Sequence, residues 1–259
     1  CGTGGDRAGT FNVSTAAALV CAGAGVKVAK HGNRAASSRC GSADVLEALG
    51  VKIDLPPPSV ARCVEQAGIG FCFAPVFHPA MRHAAGARRE LGVATIFNFL
   101  GPLTNPAGAT HQSLGVADER MMSLMVETLQ RLGSHHVVAF HGSDGLDELT
   151  LSGPSLIVEL RGGEVRRYEL DPKEVGIERA SVDAVAGGSA EENAATIRSV
   201  LSGEKGPRRD IVVLNAGAGL MAVDRASDLE DAVGIAAGTI DSGAAAAALD
   251  ALIEVSSSL

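Results

Sequence analysis

Short runs of β-branched and other apolar residues alternate along the chain with longer stretches whose apolar positions recur at helical spacing. This alternation is typical of βαβ units, in which a helix connects two parallel strands. It predicts an α/β fold with a largely parallel central sheet flanked by helices. The predicted strands are residues 26–29, 69–73, 113–116, 136–140, 156–160, 164–170 and 210–214.

Capping residues mark the helices between these strands. Ser189 with Glu192, and Ser227 with Glu230, have the spacing of a capping box at a helix start. The other predicted helices are residues 16–22, 43–49, 60–67, 79–91, 119–132 and 243–255.

Composition narrows the class of protein. Of the 259 residues, 46% are apolar and 20% are charged, which is an ordinary globular balance for one large domain or two small ones. Aromatic residues make up only 3%, which disfavours surfaces that stack nucleic acid bases. A net charge of −8 without a Lys/Arg-rich run also argues against nucleic acid as a partner.

The cysteines and the apolar runs bear on the cellular compartment of the protein. Five cysteines without a C-x-x-C pair argue against a disulfide framework and a zinc site, and suit the reducing cytoplasm. No apolar run reaches the ~18 residues of a membrane span and no leader precedes the body, so we expect no membrane association. Because a phosphate-binding loop normally follows a strand, the start at Cys1 predicts a fragment that lacks an amino-terminal part.

The first residues, Cys1-Gly2-Thr3-Gly4-Gly5-Asp6, can form an anion-binding loop. Glycines adopt positive φ and leave the main-chain N–H groups open to a phosphate, and the adjacent acid suggests Mg²⁺ between the two. Taken alone, such a hexapeptide is more often a plain turn. Asn12-Val13-Ser14-Thr15 then opens an apolar helix, and its hydroxyls could bind phosphate or metal, or simply cap the helix.

Two further polar segments follow predicted strands, where ligands bind in open parallel sheets. Residues 30–38 combine two cations, an amide and two hydroxyls, which could hold a second phosphate and a sugar. Asp147 and Glu148 could each serve a different Mg²⁺. The alternatives are a solvated polar loop for the first segment and a turn with solvated acids for the second.

A cation is also predicted on an otherwise apolar helix stripe. Helical spacing places Arg88 beside Met81, Ala84 and Leu91, where a guanidinium needs a carboxylate from the protein or from an acidic substrate. The apolar, Pro- and Gly-rich segment 95–106 could form a wall for an aromatic ligand. Residues 215–219 lack the complete dinucleotide-loop pattern, so their small side chains are expected to pack a helix on the sheet.

Taken in order, these motifs resemble those of the anthranilate phosphoribosyltransferases of tryptophan biosynthesis, over essentially all 259 residues. The resemblance rests on Gly2-Thr3-Gly4-Gly5-Asp6, Asn12-Val13-Ser14-Thr15, Lys30-His31-Gly32-Asn33-Arg34, Gly41-Ser42-Ala43-Asp44, His78-Pro79, Gly101-Pro102-Leu103-Thr104-Asn105-Pro106 and Asp147-Glu148.

The resemblance implies transfer of a phosphoribosyl group from phosphoribosyl pyrophosphate to the amine of anthranilate, with two Mg²⁺ ions and no covalent enzyme intermediate. It implies metal ligation by Ser14, Asp147 and Glu148. For anthranilate it implies contacts with Gly2, Asn33, His78, Arg88 and Pro102. For the donor it implies contacts with Gly2, Gly5, Asp6, Thr10, Asn12, Val13, Ser14, Thr15, Lys30, His31, Gly32, Asn33, Arg34, Ala35, Ala36, Ser37, Ser38 and Ser42.

The resemblance also implies an organisation of domains. Residues 1–259 would form an α/β domain truncated at its amino terminus, and residues 78–110 would belong to a small helical domain whose other helices precede this chain. A homodimer is implied for the full-length protein. Two rival hypotheses are a pyrimidine nucleoside phosphorylase, which the family resembles in fold, and a non-catalytic paralogue that binds nucleic acid.

Overall fold

The computed structural model describes residues 2–6, 8–35, 39–91 and 95–259, and at residues 85 and 87–89 it describes the backbone alone. Within these residues the strands form two sheets, one of two strands and one of four. The strands are β1 (Val28–Gly32), β2 (Ile69–Phe73), β3 (His111–Gly115), β4 (His136–Gly142), β5 (Ser155–Arg161) and β6 (Glu164–Leu170).

The sheets confirm the α/β class, and their pairing is more mixed than predicted. The β1–β2 and β3–β4 pairs are parallel, whereas β4–β5 and β5–β6 are antiparallel. Gly162 and Gly163, with φ of 58° and 88°, connect β5 directly to β6. A two-residue connection of this kind reverses the chain, so the two strands it joins must be antiparallel.

The helices lie around these sheets. They are α1 (Val13–Gly23), α2 (Ser42–Ala48), α3 (Pro57–Ala67), α4 (Ala74–Phe77), α5 (Arg82–Leu91), α6 (Phe97–Leu103), α7 (Met122–Arg131), α8 (Ala190–Leu201), α9 (Pro207–Ala222), α10 (Leu229–Asp241) and α11 (Ala244–Ser257).

The strand predicted at 210–214 is wrong, because these residues lie inside α9. All but the first of them are buried, and a continuous apolar run has the same pattern in a buried helix as in a buried strand. Pro207 at the start of α9 is the signal that distinguishes the two, since proline is favoured in the first turn of a helix. Residues 215–219 therefore continue α9. Gly217 and Gly219 let this helix approach α10 and α1 closely, whereas the prediction was that these small residues pack a helix on the sheet.

Several helix boundaries differ from the predicted ones. Helix α1 begins three residues early, after Asn12, and short 3₁₀ turns at 79–81 and 119–121 precede α5 and α7. The capping box of Ser189 and Glu192 is confirmed by two reciprocal hydrogen bonds. The one predicted at Ser227 is wrong, since Asp228 caps α10 by accepting from the Asp231 N–H at 2.9 Å.

Two hydrophobic clusters hold the layers together. The larger one joins α1, α9, α10 and α11 to one side of the sheets, and the smaller one lies between α7 and the strands β3–β5. Among the residues described, no single helix is both long and apolar enough to cross a membrane; the bent pair α10 and α11, at 65° to each other, meets the criterion only when the two are taken together.

Candidate active site

The amino-terminal loop lies against the end of β3 and against Asp147. Gly2 pairs in parallel with Gly115, and the Thr3 N–H donates to the Gly115 carbonyl at 2.9 Å. The Gly4 N–H donates to Asp147 Oδ2 at 2.6 Å. Gly4 and Gly5 have φ of 70° and 87°, so positive φ is required where the sequence predicted it.

Two glycines make room for Asp147. A Cβ atom at Gly2 would lie 2.2 Å from Asp147 Oδ2, and one at Gly115 would lie 1.7 Å from the Asp147 carbonyl oxygen. Both distances are far below van der Waals contact. The main chain at the end of β3, the glycine loop and the Asp147 segment can therefore pack this closely only without side chains at these two positions.

Glu148 lies at the amino terminus of α1. Its Oε1 accepts from the Ser14 N–H at 3.1 Å, and Nζ of Lys30, the middle residue of β1, is 3.5 Å from Ser14 Oγ. The first N–H groups of a helix have no partner within the helix and carry positive partial charge, which favours a carboxylate here. The structure thus brings Ser14, Lys30 and Glu148 together from three separate segments.

Burial changes the protonation of these groups. Desolvation, and next the charge of Asp6, raises the pKa of Asp147 to about 7. Desolvation, and next the charge of Asp147, raises the pKa of Glu148 to about 8. Burial lowers the pKa of Lys30 to about 8 against the opposing effect of Glu148 and Asp147. A site that holds three acids with one lysine favours a further cation.

Few side chains that commonly ligate metals lie beside Asp147 and Glu148. Within the described parts of the chain, no group of three or more His, Cys, Asp or Glu side chains is arranged to hold a metal ion. Mg²⁺ is commonly held by one or two carboxylates together with substrate phosphates and water. Asp147 and Glu148 fit that mode of binding and do not form a complete protein cage.

A buried asparagine that the sequence analysis did not single out as a site residue fixes the acidic segment. Asn215, in α9, accepts from the Leu149 N–H at 2.9 Å and donates to the Leu149 carbonyl at 3.0 Å. At the start of α1, Asn193 Nδ2 likewise donates to Asn12 Oδ1 at 3.0 Å. The available signal was a polar amide within an apolar run, since such a side chain must find partners when it is buried.

His31, which follows Lys30 in β1, packs against His78. Their rings meet edge to face with centroids 4.9 Å apart, and His31 Nδ1 is 3.2 Å from the Gly101 carbonyl oxygen. Burial, and next the neighbouring His78, lowers the pKa of His31, which keeps the ring neutral. The Nε2 atoms of both rings are buried without a hydrogen-bond partner. Pro102 follows Gly101 in α6, so the segment predicted to form a wall does approach the predicted phosphate loop.

Arg34 is held by two acids of α2. It forms ion pairs with Asp44 and Glu47, and these hydrogen bonds raise its pKa. The Asn33 carbonyl accepts from the Ala43 N–H at 3.1 Å, and Ser42 Oγ donates to it at 3.3 Å. Residues 33–35 are thus fastened to the start of α2, and Arg34 must exchange partners before it can bind a phosphate.

The remaining predicted site residues fall into three groups. Asp6 and Thr10 lie in the loop before α1, where Thr10 pairs with Ala186. Val13 and Thr15 are buried, and the Thr15 hydroxyl has no hydrogen-bond partner. The predictions for Ala36, Ser37 and Ser38 lie outside the described residues, as does the side chain of Arg88 in α5.

Comparison with known proteins identifies relatives of the whole chain. The family model "Glycosyl transferase family, a/b domain" matches residues 1–246. The anthranilate phosphoribosyltransferase of Moorella thermoacetica is 57% identical over 253 residues, which cover 98% of this chain and 75% of the relative.

Solved structures of anthranilate phosphoribosyltransferases also resemble this chain. Anthranilate phosphoribosyltransferase from Thermus thermophilus superposes with a TM-score of 0.93 at 52% identity, over 99% of this chain and 76% of that chain. The Saccharomyces cerevisiae enzyme in complex with PRPP and Mg superposes with a TM-score of 0.90 at 30% identity, over 100% of this chain and 73% of that chain. The chain therefore belongs to the anthranilate phosphoribosyltransferases, within the glycosyl transferase family.

Proposed function

We propose that the site between the glycine loop, the start of α1 and the acidic segment binds phosphoribosyl pyrophosphate with Mg²⁺ and presents its ribose to anthranilate. The product would be the N-phosphoribosyl derivative of anthranilate, with release of pyrophosphate. The observation that carries this proposal is the convergence of Gly4, Ser14, Lys30, Asp147 and Glu148 from four separate segments.

The charges of the site support a donor that carries both phosphates and metal. Pyrophosphate adds negative charge to buried acids, so it binds only if cations lie between them. Mg²⁺ would supply that charge and polarise the bond to the departing pyrophosphate. We propose two ions, one held by Ser14 and Glu148 and one by Asp147 and Glu148, completed by phosphate oxygens and water.

The chain's own groups would orient the donor. Main-chain N–H groups of the glycine loop and of the amino terminus of α1 would face the anionic end of the donor once the Gly4 and Ser14 N–H groups release Asp147 and Glu148. Lys30 would donate to a phosphate oxygen in place of its contact with Ser14 Oγ. The segment 33–38, with Ser42, would bind the rest of the donor once Arg34 leaves Asp44 and Glu47.

The acceptor would lie on the side of the histidine pair. We assign His78, Pro102, Gly2 and Asn33 to this acceptor side. His31 packs against His78 there, and the Nε2 atoms of both rings lack hydrogen-bond partners. A guanidinium on the adjacent helix is the group expected to hold the anthranilate carboxylate, and we assign it to Arg88. The amine then attacks the ribose carbon as pyrophosphate departs, so the gain in rate comes from positioning and electrostatics.

Titration calorimetry with phosphoribosyl pyrophosphate, with and without Mg²⁺, tests the donor site. We expect binding that requires the metal. Equal binding in its absence would overturn the assignment of Asp147 and Glu148. Phosphorolysis of a pyrimidine nucleoside, or a salt-dependent shift of DNA, would instead favour one of the two rival activities.

Steady-state kinetics of Arg88→Ala test the acceptor site. We expect KM for anthranilate to rise by at least about tenfold, the loss of about 1.4 kcal/mol, while KM for the donor changes little. Arg82→Ala is the matched control, because Arg82 lies on the same helix and is exposed. Equal effects of Arg88→Ala on both substrates would contradict the assignment.

The setting of the site is also part of this proposal. We propose that residues 78–110 belong to a small helical domain completed by helices outside this chain, that the full-length protein is a homodimer, and that it acts in the cytoplasm. Sedimentation of the full-length protein, with and without both substrates, tests the dimer.

A further inference from the structure

Asn12 lies directly before α1, at the position where an asparagine side chain usually caps the helix. Its amide makes no such contact. The Ser14 N–H donates to Glu148 instead. The Thr15 N–H donates to the main-chain carbonyl of Asn12 at 3.1 Å. The side chain of Asn12 is therefore available to partners outside α1.

Two distant segments bind the two ends of this amide. Asn12 Oδ1 accepts from Nδ2 of Asn193, in α8, at 3.0 Å, and Asn12 Nδ2 donates to the Cys40 carbonyl at 3.2 Å. Cys40 lies next to Gly41, the residue that precedes α2. One side chain thus connects the beginnings of α1 and α2 to α8, although Asn12 and Asn193 are 181 positions apart in the sequence.

Asn193 sets the orientation of the Asn12 amide. Asn193 is 2% exposed, and its Oδ1 accepts from the Gly188 N–H at 2.8 Å. An amide oxygen only accepts and an amide nitrogen only donates, so this contact leaves Nδ2 of Asn193 to face Asn12. Asn12 must then present its oxygen to Asn193, and its own Nδ2 is left for the Cys40 carbonyl.

Main-chain contacts also fasten the loop before α1 to the segment before α8. The Gly187 N–H donates to the Gly9 carbonyl at 2.8 Å. The Phe11 N–H donates to the Val185 carbonyl at 3.1 Å. A Cβ atom at Gly187 would lie 2.6 Å from the Phe11 nitrogen, which is closer than a side chain allows. These contacts hold α8 close enough to α1 for the two asparagine side chains to meet.

We propose that Asn193 is a positioning residue of the donor site, which acts through Asn12 to fix the separation between the start of α1 and the start of α2. This role rests on the proposed function, because both segments are assigned to the donor there. The Glu148 carboxylate lies at the start of α1. At the start of α2, the Ala43 N–H holds the Asn33 carbonyl, so the loop that begins at Asn33 moves with α2.

The histidine pair assigned to the acceptor has a different anchor. His31 contacts the Gly101 carbonyl of α6 and packs against His78. Loss of the contact between Asn193 and Asn12 should therefore displace the segments that bind the donor while this anchor is retained. A residue that served stability alone would affect the use of both substrates to the same extent.

Calorimetry and steady-state kinetics of Asn193→Ala in the full-length protein test this role. We expect the Kd for phosphoribosyl pyrophosphate at saturating Mg²⁺ to rise by about tenfold, and KM for anthranilate at saturating donor to change by less than about twofold. Thr196→Ala is the matched control and should alter neither constant, because Thr196 lies in the same helix and its hydroxyl accepts from Arg208. Equal losses for both substrates, or an unaltered Kd, would overturn the proposal.

A second variant separates the contact with Asn12 from the contact with Gly188. Asn193→Asp retains an acceptor for the Gly188 N–H but sets an oxygen against Asn12 Oδ1. We expect it to lose donor affinity at least as strongly as Asn193→Ala. Parental affinity at about pH 9, where a carboxyl is ionised, would show that Asn193 serves only the start of α8 and would overturn the proposal. Each of the two variants tests the role if the other does not fold.

A double-substitution cycle tests whether Asn193 acts through Asn12. Adding Asn193→Ala to Asn12→Ala should change the Kd for the donor by less than about twofold, because the connection is already broken. If the two losses multiply instead, Asn193 does not act through Asn12.

Hydrogen exchange without substrate tests the same connection independently of the proposed function. In Asn193→Ala we expect the amides of residues 43–46 to exchange about tenfold faster, and those of α7 to be unchanged. Absence of donor binding in the parent protein would overturn the proposed function. Unchanged exchange at the start of α2 would overturn the role of Asn193, so the two failures are distinguishable.

Discussion

The side chain of Asn215 holds both main-chain polar groups of Leu149, the residue that follows the two site acids. It also donates to the Ile211 carbonyl, within its own helix, at 2.9 Å. One buried amide thus connects the core helix α9 to the segment that carries Asp147 and Glu148. Both the stability of the fold and the geometry of the site depend on it.

Replacing Asn215 with Ala should destabilise the protein by about 3 kcal/mol, because two buried main-chain groups would lose their partners. It should also weaken Mg²⁺-dependent donor binding at temperatures where the variant remains folded. Urea unfolding and calorimetry measure the two effects. Asn215→Asp keeps an acceptor for the Leu149 N–H but sets a second oxygen against the Leu149 carbonyl, so an Asn215→Asp protein as stable as the parent would contradict the donor role of this side chain.

A methyl group at Gly115 should displace the acidic segment. Gly115→Ala places a Cβ atom against the Asp147 carbonyl, and we expect a loss of about 2 kcal/mol in unfolding free energy together with loss of transferase activity. Gly234→Ala is the matched control. It lies exposed in α10 with open space around it, so it should stabilise the protein by about 0.5–1 kcal/mol. An active, fully stable Gly115→Ala protein would contradict the close packing.

Removing the charge of Glu148 should abolish donor binding without lowering the stability of the metal-free protein. Glu148→Gln keeps the size of the side chain and eliminates a buried charge, so the metal-free protein should be at least as stable as the parent near pH 8. Donor binding with Mg²⁺ should be lost, as judged by calorimetry. Glu127→Gln, on the exposed face of α7, should leave both properties unchanged. Retained metal-dependent binding in Glu148→Gln would exclude it as a ligand.

The stability of the metal-free protein should decrease as pH rises from about 4 to about 8. Unfolded carboxyls lose their protons near pH 4, whereas Asp147 and Glu148 keep theirs until their pKa values of about 7 and about 8. The folded state therefore binds more protons across this window, and stability is lost as they dissociate. Lys30 affects stability at higher pH. Because its pKa is lowered to about 8 in the folded protein, the unfolded state binds more protons between about pH 8 and 10, and stability rises again there.

Urea unfolding at pH 5, 6.5 and 8 without metal measures this slope. Saturating Mg²⁺ and donor should reverse it, because the ionised acids are the form that binds a cation. Glu148→Gln should reduce the slope, and Glu127→Gln should not. A metal-free protein whose stability rises steadily between pH 5 and 8 would show that these acids ionise without penalty.

The sequence allowed the fold class and six of the seven predicted strands to be recognised, because those strands are short β-branched runs between turn residues. It misassigned 210–214, where burial on all sides removes the periodicity that separates helix from strand. The antiparallel half of the larger sheet was also missed. A two-glycine turn reverses the chain between β5 and β6, and the connection 143–154 between β4 and β5 contains no helix, so neither pair has the helical crossover that the prediction assumed.

The candidate site was predictable at the level of segments. A recognisable local pattern marks each of the glycine loop, the start of α1, Lys30 and the acid pair. The structure brings Ser14, Lys30 and Glu148 together. The contacts that hold these segments were not predictable. The ion pairs of Arg34 and the amide of Asn215 depend on long-range packing, and the sequence pattern puts Asn215 in a loop after a strand that does not exist.

The wall formed by α6 is fastened in two places through its main chain. His31 contacts the Gly101 carbonyl, and Gln112 donates to the Pro102 carbonyl at 2.9 Å. Anchors of this kind do not depend on the identity of neighbouring side chains. The lining of this wall can therefore diverge, by natural drift or by engineering, to admit differently substituted aromatic amines while the position of the phosphate machinery stays constant.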